Sequence, residues 1–146
     1  MTDRIFVKKL KTTAIVPTYG SAEAAGADLY ACLEAPVTVE PGQTVFVPTG
    51  IAIQFPKGYA ALIYARSGLA CKRDLAPANK VGVVDSDYRG EVIVALHNHG
   101  SQSQQISHGE RIAQLVITPV LTLPFEETEV LSDTQRGEGG FGSTGK

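Results

Sequence analysis

Apolar and polar positions along this chain fall into short runs rather than into the seven-residue rhythm of long helices. Val37–Val39, Val45–Val47, Ile51–Phe55, Tyr59–Ala65, Val81–Val84, Val92–Leu96 and Leu115–Ile117 are rich in Val and Ile. Turn signals separate them: Glu40-Pro41-Gly42, Pro56-Lys57-Gly58, Asp85-Ser86-Asp87 and His108-Gly109-Glu110. Short β-rich runs between turns predict an all-β fold, a jelly-roll-like barrel or sandwich with little helix. Thr38-Val39-Glu40 and Thr44-Val45-Phe46-Val47 alternate like strands with one wet face, whereas the wholly apolar runs suit strands covered on both sides. One short helix is predicted, Ser67–Lys72, capped by Ser67 and stopped before Pro77. Val81–Val94 reads as two strands joined by a polar hairpin, and Ala25–Ala31 as a strand-like run carrying one carboxylate, Asp28.

The pattern changes after Leu131. Residues 132–146 hold five of the chain's 15 glycines together with Ser132, Thr134, Ser143 and Thr144. The chain therefore divides into a β domain, 1–131, and a Gly-rich C-terminal arm, 132–146, which composition alone reads as a mobile tail. Gly137, Gly139 and Gly142 fit the G-x-G-x-x-G string of dinucleotide folds, and Gly140, Gly145 and Lys146 fit most of a Walker A string. Both strings work only between a strand and a helix, where amides and helix dipole face a phosphate, and no helix pattern follows here. Among those glycines, however, stand one arginine, Arg136, and one phenylalanine, Phe141. Glycines permit amide nests around an anion, arginine pairs bidentately with phosphate, and phenylalanine stacks on a base.

Length and composition set the bounds. At 146 residues the chain is one ordinary domain that can bury a core without staples. Hydrophobic residues are 43% and charged residues 19%, a globular balance, and no apolar run approaches the ~18 residues of a membrane span. The basic residues Arg4, Lys8, Lys9 and Lys11 are not followed by a signal-peptide apolar region, so a cytoplasmic location is expected. Net charge is −2, which argues against general binding to a nucleic-acid backbone but not against one anionic ligand held by a few arginines. Cys32 and Cys71 are too few for a disulfide framework and read as reduced structural thiols. His97, His99 and His108 lack acidic or cysteine partners at metal-ligand spacing and read as surface histidines.

Four internal segments carry candidate chemistry. Asp28 in its apolar run needs a partner, a ligand or exposure. Arg66-Ser67-Gly68 at a strand-to-helix junction offers a guanidinium, a hydroxyl and free amides to an anion, or simply a serine cap. Asp85 ends an apolar strand and could serve as a general base to a water, although Asp also suits turns. Gln114 amid apolar neighbours could orient a water or satisfy backbone groups.

Together these segments say more than each does alone. Ala25-Gly-Ala-Asp-Leu-Tyr-Ala31, Ala65-Arg-Ser-Gly-Leu-Ala70, Val81-Gly-Val-Val-Asp-Ser-Asp-Tyr-Arg-Gly90, Gly109-Glu-Arg-Ile-Ala-Gln-Leu-Val116 and Arg136-Gly-Glu-Gly-Gly-Phe-Gly-Ser-Thr-Gly145 resemble, in order, the five motifs of the trimeric dUTPases. The resemblance runs from about Ile5 to the C-terminus. It implies a β jelly roll, a homotrimer with active sites shared between chains, and hydrolysis of dUTP to dUMP and pyrophosphate with Mg2+ carried on the triphosphate. One chain would give the first, second and fourth motifs, another the third, and the third chain its tail. By motif, Asp85 would be the base that activates water, and Gln114 would help hold that water or the phosphates. Arg66, Ser67 and Gly68 would bind phosphate oxygens, and Asp28 would touch magnesium through water. Asn79 and the backbone around Val84 would line the uracil pocket, while Tyr88 would lie beneath the deoxyribose and leave no room for a 2′-hydroxyl. Arg136 would grip the γ-phosphate, and Phe141, with Gly142 and Ser143, would close over uracil.

The segment Cys71-Lys-Arg-Asp-Leu-Ala-Pro-Ala78 departs from the Lys-His pair common in the family, which leaves that loop's conformation open. The sister class, dCTP deaminase, shares the fold but lacks an arginine–phenylalanine tail, so Arg136–Gly145 discriminates against it. A nucleotide-binding module without turnover would not need Asp85, Gln114 and Arg136 together.

Overall fold

In the computed structural model, which describes residues 4–145, the chain forms twelve strands and one short helix among the described residues. In order they are β1 (Phe6–Lys9), β2 (Thr18–Tyr19), β3 (Ala27–Tyr30), β4 (Val37–Val39), β5 (Thr44–Pro48), β6 (Ile51–Gln54) and β7 (Tyr59–Tyr64). Then come α1 (Ser67–Lys72), β8 (Leu75–Pro77), β9 (Gly82–Val84), β10 (Ile93–Asn98), β11 (Gln104–Ile106) and β12 (Arg111–Pro119). A five-stranded sheet runs β2-β3-β12-β7-β9, a second runs β5-β10-β8, and two ribbons pair β1 with β6 and β4 with β11. Every pairing is antiparallel, and most join strands far apart in sequence. That wrapping of distant strands over one core is the all-β, jelly-roll-like arrangement that the short runs predicted.

Inward residues from all the sheets fill the core. Leu29, Val39, Val47, Ile51, Leu75, Leu96, Ile106 and Ile112 are sealed from solvent, and each such side chain contributes about 1.5–3 kcal/mol on burial. Two polar side chains are buried with them. Asn98 donates to the carbonyls of Val39 (2.9 Å) and Gln102 (2.7 Å) and accepts from the Gly100 amide (3.0 Å). It thereby fixes the turn that leads into β11. Thr49 Oγ1 donates to the Val92 carbonyl at 2.5 Å. Both are fully satisfied, as buried polar groups must be.

Three expectations are corrected. Val81–Val94 is not a hairpin, because β9 pairs with β7 whereas β10 pairs with β5 and β8. The cause is Val92: it is buried, its amide donates to Ile51 O (2.9 Å) and its carbonyl accepts from the Thr49 amide (3.3 Å). The chain is thus drawn into the second sheet, and residues 85–91 become a crossing loop. Ser67 is not the helix cap; Arg66 occupies that position with no side-chain cap bond, and Ser67 is the first helical residue. Cys71 is not a buried structural thiol. Leu69 is the residue that α1 buries, and Cys71 falls on the exposed side, while Cys32 does pack in the core.

Candidate active site

The first cluster of site residues is created by an irregularity in β12. Arg111 stands opposite Tyr30, but Ala113 stands opposite Leu29, so Ile112 is an inserted residue. Such a bulge re-aims the side chains around it. Here both Ile112 and Ala113 turn into the core, and Arg111 and Gln114 emerge on one side of the sheet. Gln114 is registered opposite Asp28 on one side and Tyr64 on the other. Three strands therefore bring the first, second and fourth segments together.

Their side chains are cross-bonded. Arg66 Nε donates to Asp28 Oδ1 at 2.8 Å, and Arg111 Nη1 lies 3.6 Å from Asp28 Oδ2. Arg66 Nη1 also reaches the Arg111 carbonyl (3.5 Å). Gln114 Nε2 donates to the Ala65 carbonyl at 2.8 Å, which ties β12 to the end of β7. Gly26 makes room for that carboxamide: a Cβ there would overlap Gln114 Oε1 and lie 3.1 Å from its Cδ. Asp28 is only 14% exposed, so its charge is held by arginine and not by water. Two guanidinium groups on one carboxylate leave one positive charge unmatched, and Arg111 remains half exposed. Beside them α1 opens with the free hydroxyl of Ser67 and the amide of Gly68, since the first i→i−4 bond is made by Ala70 to Arg66 O (2.9 Å). The corner offers donors and positive charge, the equipment of an anion site.

A second group of site residues lies elsewhere on the same sheet. Asn79, Val84, Asp85 and Tyr88 line a cavity of about 250 Å3 with Ile63 and Gly82. Lys80, in the left-handed region at φ 66°, turns the chain so that Asn79 lies against β9. Asp85 is exposed at the mouth of this cavity.

These two groups do not meet within one chain. Val84 is registered opposite Ala61, three residues short of Tyr64, and Asp85 continues away from it. At ~3.3 Å per residue, Asp85 is displaced from the Arg66 end of β7 by more than about 10 Å along the strand.

The third group sits on the arm and touches neither. After the Val120 amide, which donates to Gly58 O (2.9 Å), neither the segment 121–131 nor the arm makes a hydrogen bond to the sheets among the described residues. Leu121, Leu123, Phe125, Val130 and Leu131 are all strongly exposed. Arg136 Nε donates to Gly139 O (2.8 Å), and Ser143 N to Gly140 O (3.0 Å), so this segment holds only its own turns. Phe141 has φ 51°, is followed by Gly142 at φ 83°, and projects wholly into solvent. Lys146, part of the Walker-like string, lies outside the described residues.

The histidines are engaged separately. His97 bonds Thr44 Oγ1 (2.9 Å), His108 Nδ1 accepts from the Leu33 amide (3.1 Å), and His99 lies 3.6 Å from Asp74. No cluster of three or more His, Cys, Asp or Glu side chains forms among the described residues. Asp28 is already paired to two arginines, so a cation at this corner would be met through water.

Sequence reading overlooked Arg111, Gly26 and the Ala65 carbonyl. The adjacent apolar pair Ile112-Ala113 between two polar residues, which breaks strand alternation, was the available signal for the bulge that exposes Arg111.

Residues 12–145 match the family model described as dUTPase. The deoxyuridine 5′-triphosphate nucleotidohydrolase of Desulfitobacterium hafniense (strain DSM 10664 / DCB-2) is 51% identical over 141 residues, 96% of this chain and 93% of that protein. That of Syntrophotalea carbinolica is 48% identical, over 97% of this chain and 96% of the relative. Among solved structures, the Staphylococcus bacteriophage 80alpha dUTPase with dUPNHPP superposes with a TM-score of 0.91 at 29% identity, covering 99% of this chain and 100% of that one.

Proposed function

The chain belongs to the dUTPase family and is an enzyme that hydrolyses dUTP, and on that premise we propose how its residues divide the work. Asp85 takes a proton from water as the water oxygen bonds the α-phosphorus. The bond from that phosphorus to the bridging oxygen breaks, and pyrophosphate leaves with dUMP as the other product. Arg66, Ser67, Gly68 and Arg111 hold the phosphates, and Gln114 keeps that corner in shape or meets the water. Asn79 and the backbone at Val84 read uracil, and Tyr88 walls the sugar. Arg136 and Phe141, with Gly142 and Ser143, come down over phosphate and base when residues 132–146 close. A general base of this kind supplies typically 10²–10⁴-fold, and closure adds positioning and exclusion of water. The metal is Mg2+ bound to the triphosphate, where it neutralises charge that would repel the nucleophile; Asp28 would meet it through water.

One observation carries the proposal: the phosphate corner and the Asp85 cavity lie apart on one chain. A triphosphate gripped at the first can be attacked from the second only if another copy supplies it, which supports sites shared between copies; the resemblance to the trimeric family makes that assembly a homotrimer. The exposed Phe46, Val83 and Ile93 near the cavity, and the exposed Leu121, Leu123, Phe125, Val130 and Leu131 that lead into the arm, offer surfaces for such copies. Among the described residues no helix is long and apolar enough to cross a membrane, and we place the enzyme in the cytoplasm, limiting uracil in DNA and supplying dUMP. We propose no nucleic-acid partner.

The test is product identification after incubation with dUTP and Mg2+, with dCTP, dTTP and UTP in parallel and a chelator control. Conversion of dUTP alone into dUMP and pyrophosphate, lost on chelation, is expected. Deamination of dCTP, or no turnover of any nucleotide, would overturn it.

A further inference from the structure

The crossing loop contains a contact that none of these roles uses. The Tyr88 amide donates to Asp85 O (3.1 Å), and the Tyr88 hydroxyl donates to Glu91 O (2.9 Å). The phenol ring is therefore folded back over its own loop, with its tip above the α-carbon of Gly90. A Cβ on Gly90 would overlap the Tyr88 hydroxyl, stand 2.6 Å from Cζ and lie 3.0 Å from Cε2. Gly90 does not have the left-handed φ that would by itself call for glycine. What this position requires is space.

We propose that Gly90 is a specificity-determining positioning residue: the bare face of its α-carbon seats the Tyr88 ring at the height that excludes a ribonucleotide. The inference rests on the reading of Tyr88 as the sugar wall. The ring forms part of the lining of the Asn79–Asp85 cavity and is 45% exposed in the chain. Its position is fixed at two points, the backbone at Tyr88 and the hydrogen bond at the hydroxyl. A methyl group at position 90 strikes the ring at its tip, where the hydroxyl is tethered. The ring relieves the clash by swinging outward about its side-chain torsions, and the bond to Glu91 O breaks. The wall then stands away from the sugar, and a 2′-hydroxyl that was sterically refused finds room.

A double-mutant cycle tests this. kcat and KM for dUTP and UTP are measured for the unaltered enzyme, Gly90→Ala, Tyr88→Ala and the double variant, with thermal midpoints for all four. Gly90→Ala is expected to lower the dUTP-to-UTP ratio of kcat/KM by about tenfold or more, the scale of one steric contact in a pocket. KM for dUTP should rise more than kcat falls. In the Tyr88→Ala background the same substitution should change the ratio no further. Tyr88→Phe, which keeps the glycine and removes the tether, should lower the ratio by less and covers the case in which Gly90→Ala folds poorly. If Tyr88→Ala leaves the ratio unchanged, the sugar-wall reading itself fails. If Tyr88→Ala lowers the ratio and Gly90→Ala in a folded protein does not, the inference about Gly90 is overturned. An equal effect of Gly90→Ala in both backgrounds also overturns it, because Gly90 would then act through something other than the ring.

Discussion

The Arg66–Asp28–Arg111 corner and the loop carrying Asp85 share one five-stranded sheet, yet they are built in opposite ways. The corner is assembled by register: β3, β12 and β7 set Asp28, Gln114 and Tyr64 side by side, and Arg66 and Gln114 bond across to groups far away in sequence. The loop is assembled locally. Tyr88 bonds Asp85 O and Glu91 O, and Arg89 bonds Ser86 O at 2.7 Å, all within a few residues. Long-range register gives a stiff corner, and a short self-bonded loop gives a shaped wall; the proposed function assigns the first to phosphates and the second to base and sugar. On the proposed assignments, the separation between them gives one chain two half-sites that must be joined by another copy.

The largest effect should come from the loop. Asp85→Asn should lower kcat by about 10²–10⁴-fold, the contribution of a general base, while leaving the affinity for a nonhydrolysable dUTP analogue largely intact. Unchanged turnover in that variant would remove Asp85 from the mechanism. The comparison can be broken outright by mixing. Asp85→Asn and Ser67→Ala chains, each nearly inactive alone, should regain activity when unfolded and refolded together, because some sites then combine an intact corner with an intact loop. If the mixture stays as inactive as its components, the two half-sites do not come from different copies.

The arm is the next test. It adds a third kind of construction, a backbone that makes no hydrogen bond to the sheets among the described residues. Removing residues 132–146 should cost on the order of 10²-fold in kcat/KM, as expected for lost positioning. The thermal midpoint should hardly move, because no hydrogen bond from that segment reaches the sheets among the described residues. A protein that unfolds on truncation would make the segment part of the structure and not a closing device.

How far the sequence disclosed this depends on how local each feature is. The runs at Val37–Val39, Ile51–Phe55 and Tyr59–Ala65 became strands, and Ser67–Lys72 became the helix, because apolar alternation and turn residues are local signals. β1, β2, β8 and β11 were not foreseen. Gln104-Gln105-Ile106 has little strand character of its own and becomes a strand by pairing with β4 beside the turn that Asn98 fixes. Motif resemblance implied both the members of the site and their division between chains, but the distance between corner and cavity on one chain was not legible, since register between β7 and β9 cannot be read from either strand alone. The false hairpin at Val81–Val94 has the same origin: two neighbouring strands were paired because they are adjacent, and the burial of Val92 sends them to different sheets. Arg73 shows how a departure from the family pattern is absorbed. Its guanidinium bonds Glu110 (2.8 Å) and Gln104 (3.1 Å), tying the end of α1 to the turn before Arg111.

The smallest predicted effect gives the finest division between the two constructions. At Gly26 a methyl group would overlap Gln114 Oε1, and unlike the tip of Tyr88 this carboxamide has no open side to swing toward, because Nε2 is bonded to Ala65 O and the strand is fixed on both flanks. Gly26→Ala should therefore cost about 1–3 kcal/mol of stability, the usual penalty for overpacking. It should also lower kcat/KM by a comparable factor, since the same displacement loosens the end of β7 from which Arg66 reaches Asp28. Denaturant unfolding and steady-state kinetics on one preparation measure both. If Gln114 is chiefly a brace, the losses in stability and activity travel together and Gln114→Glu, which places a carboxylate against the Ala65 carbonyl, is worse than Gly26→Ala on both scales. If activity collapses while the unfolding midpoint stays put, Gln114 acts on the water or the phosphates directly, and the corner is reactive machinery and not only a grip.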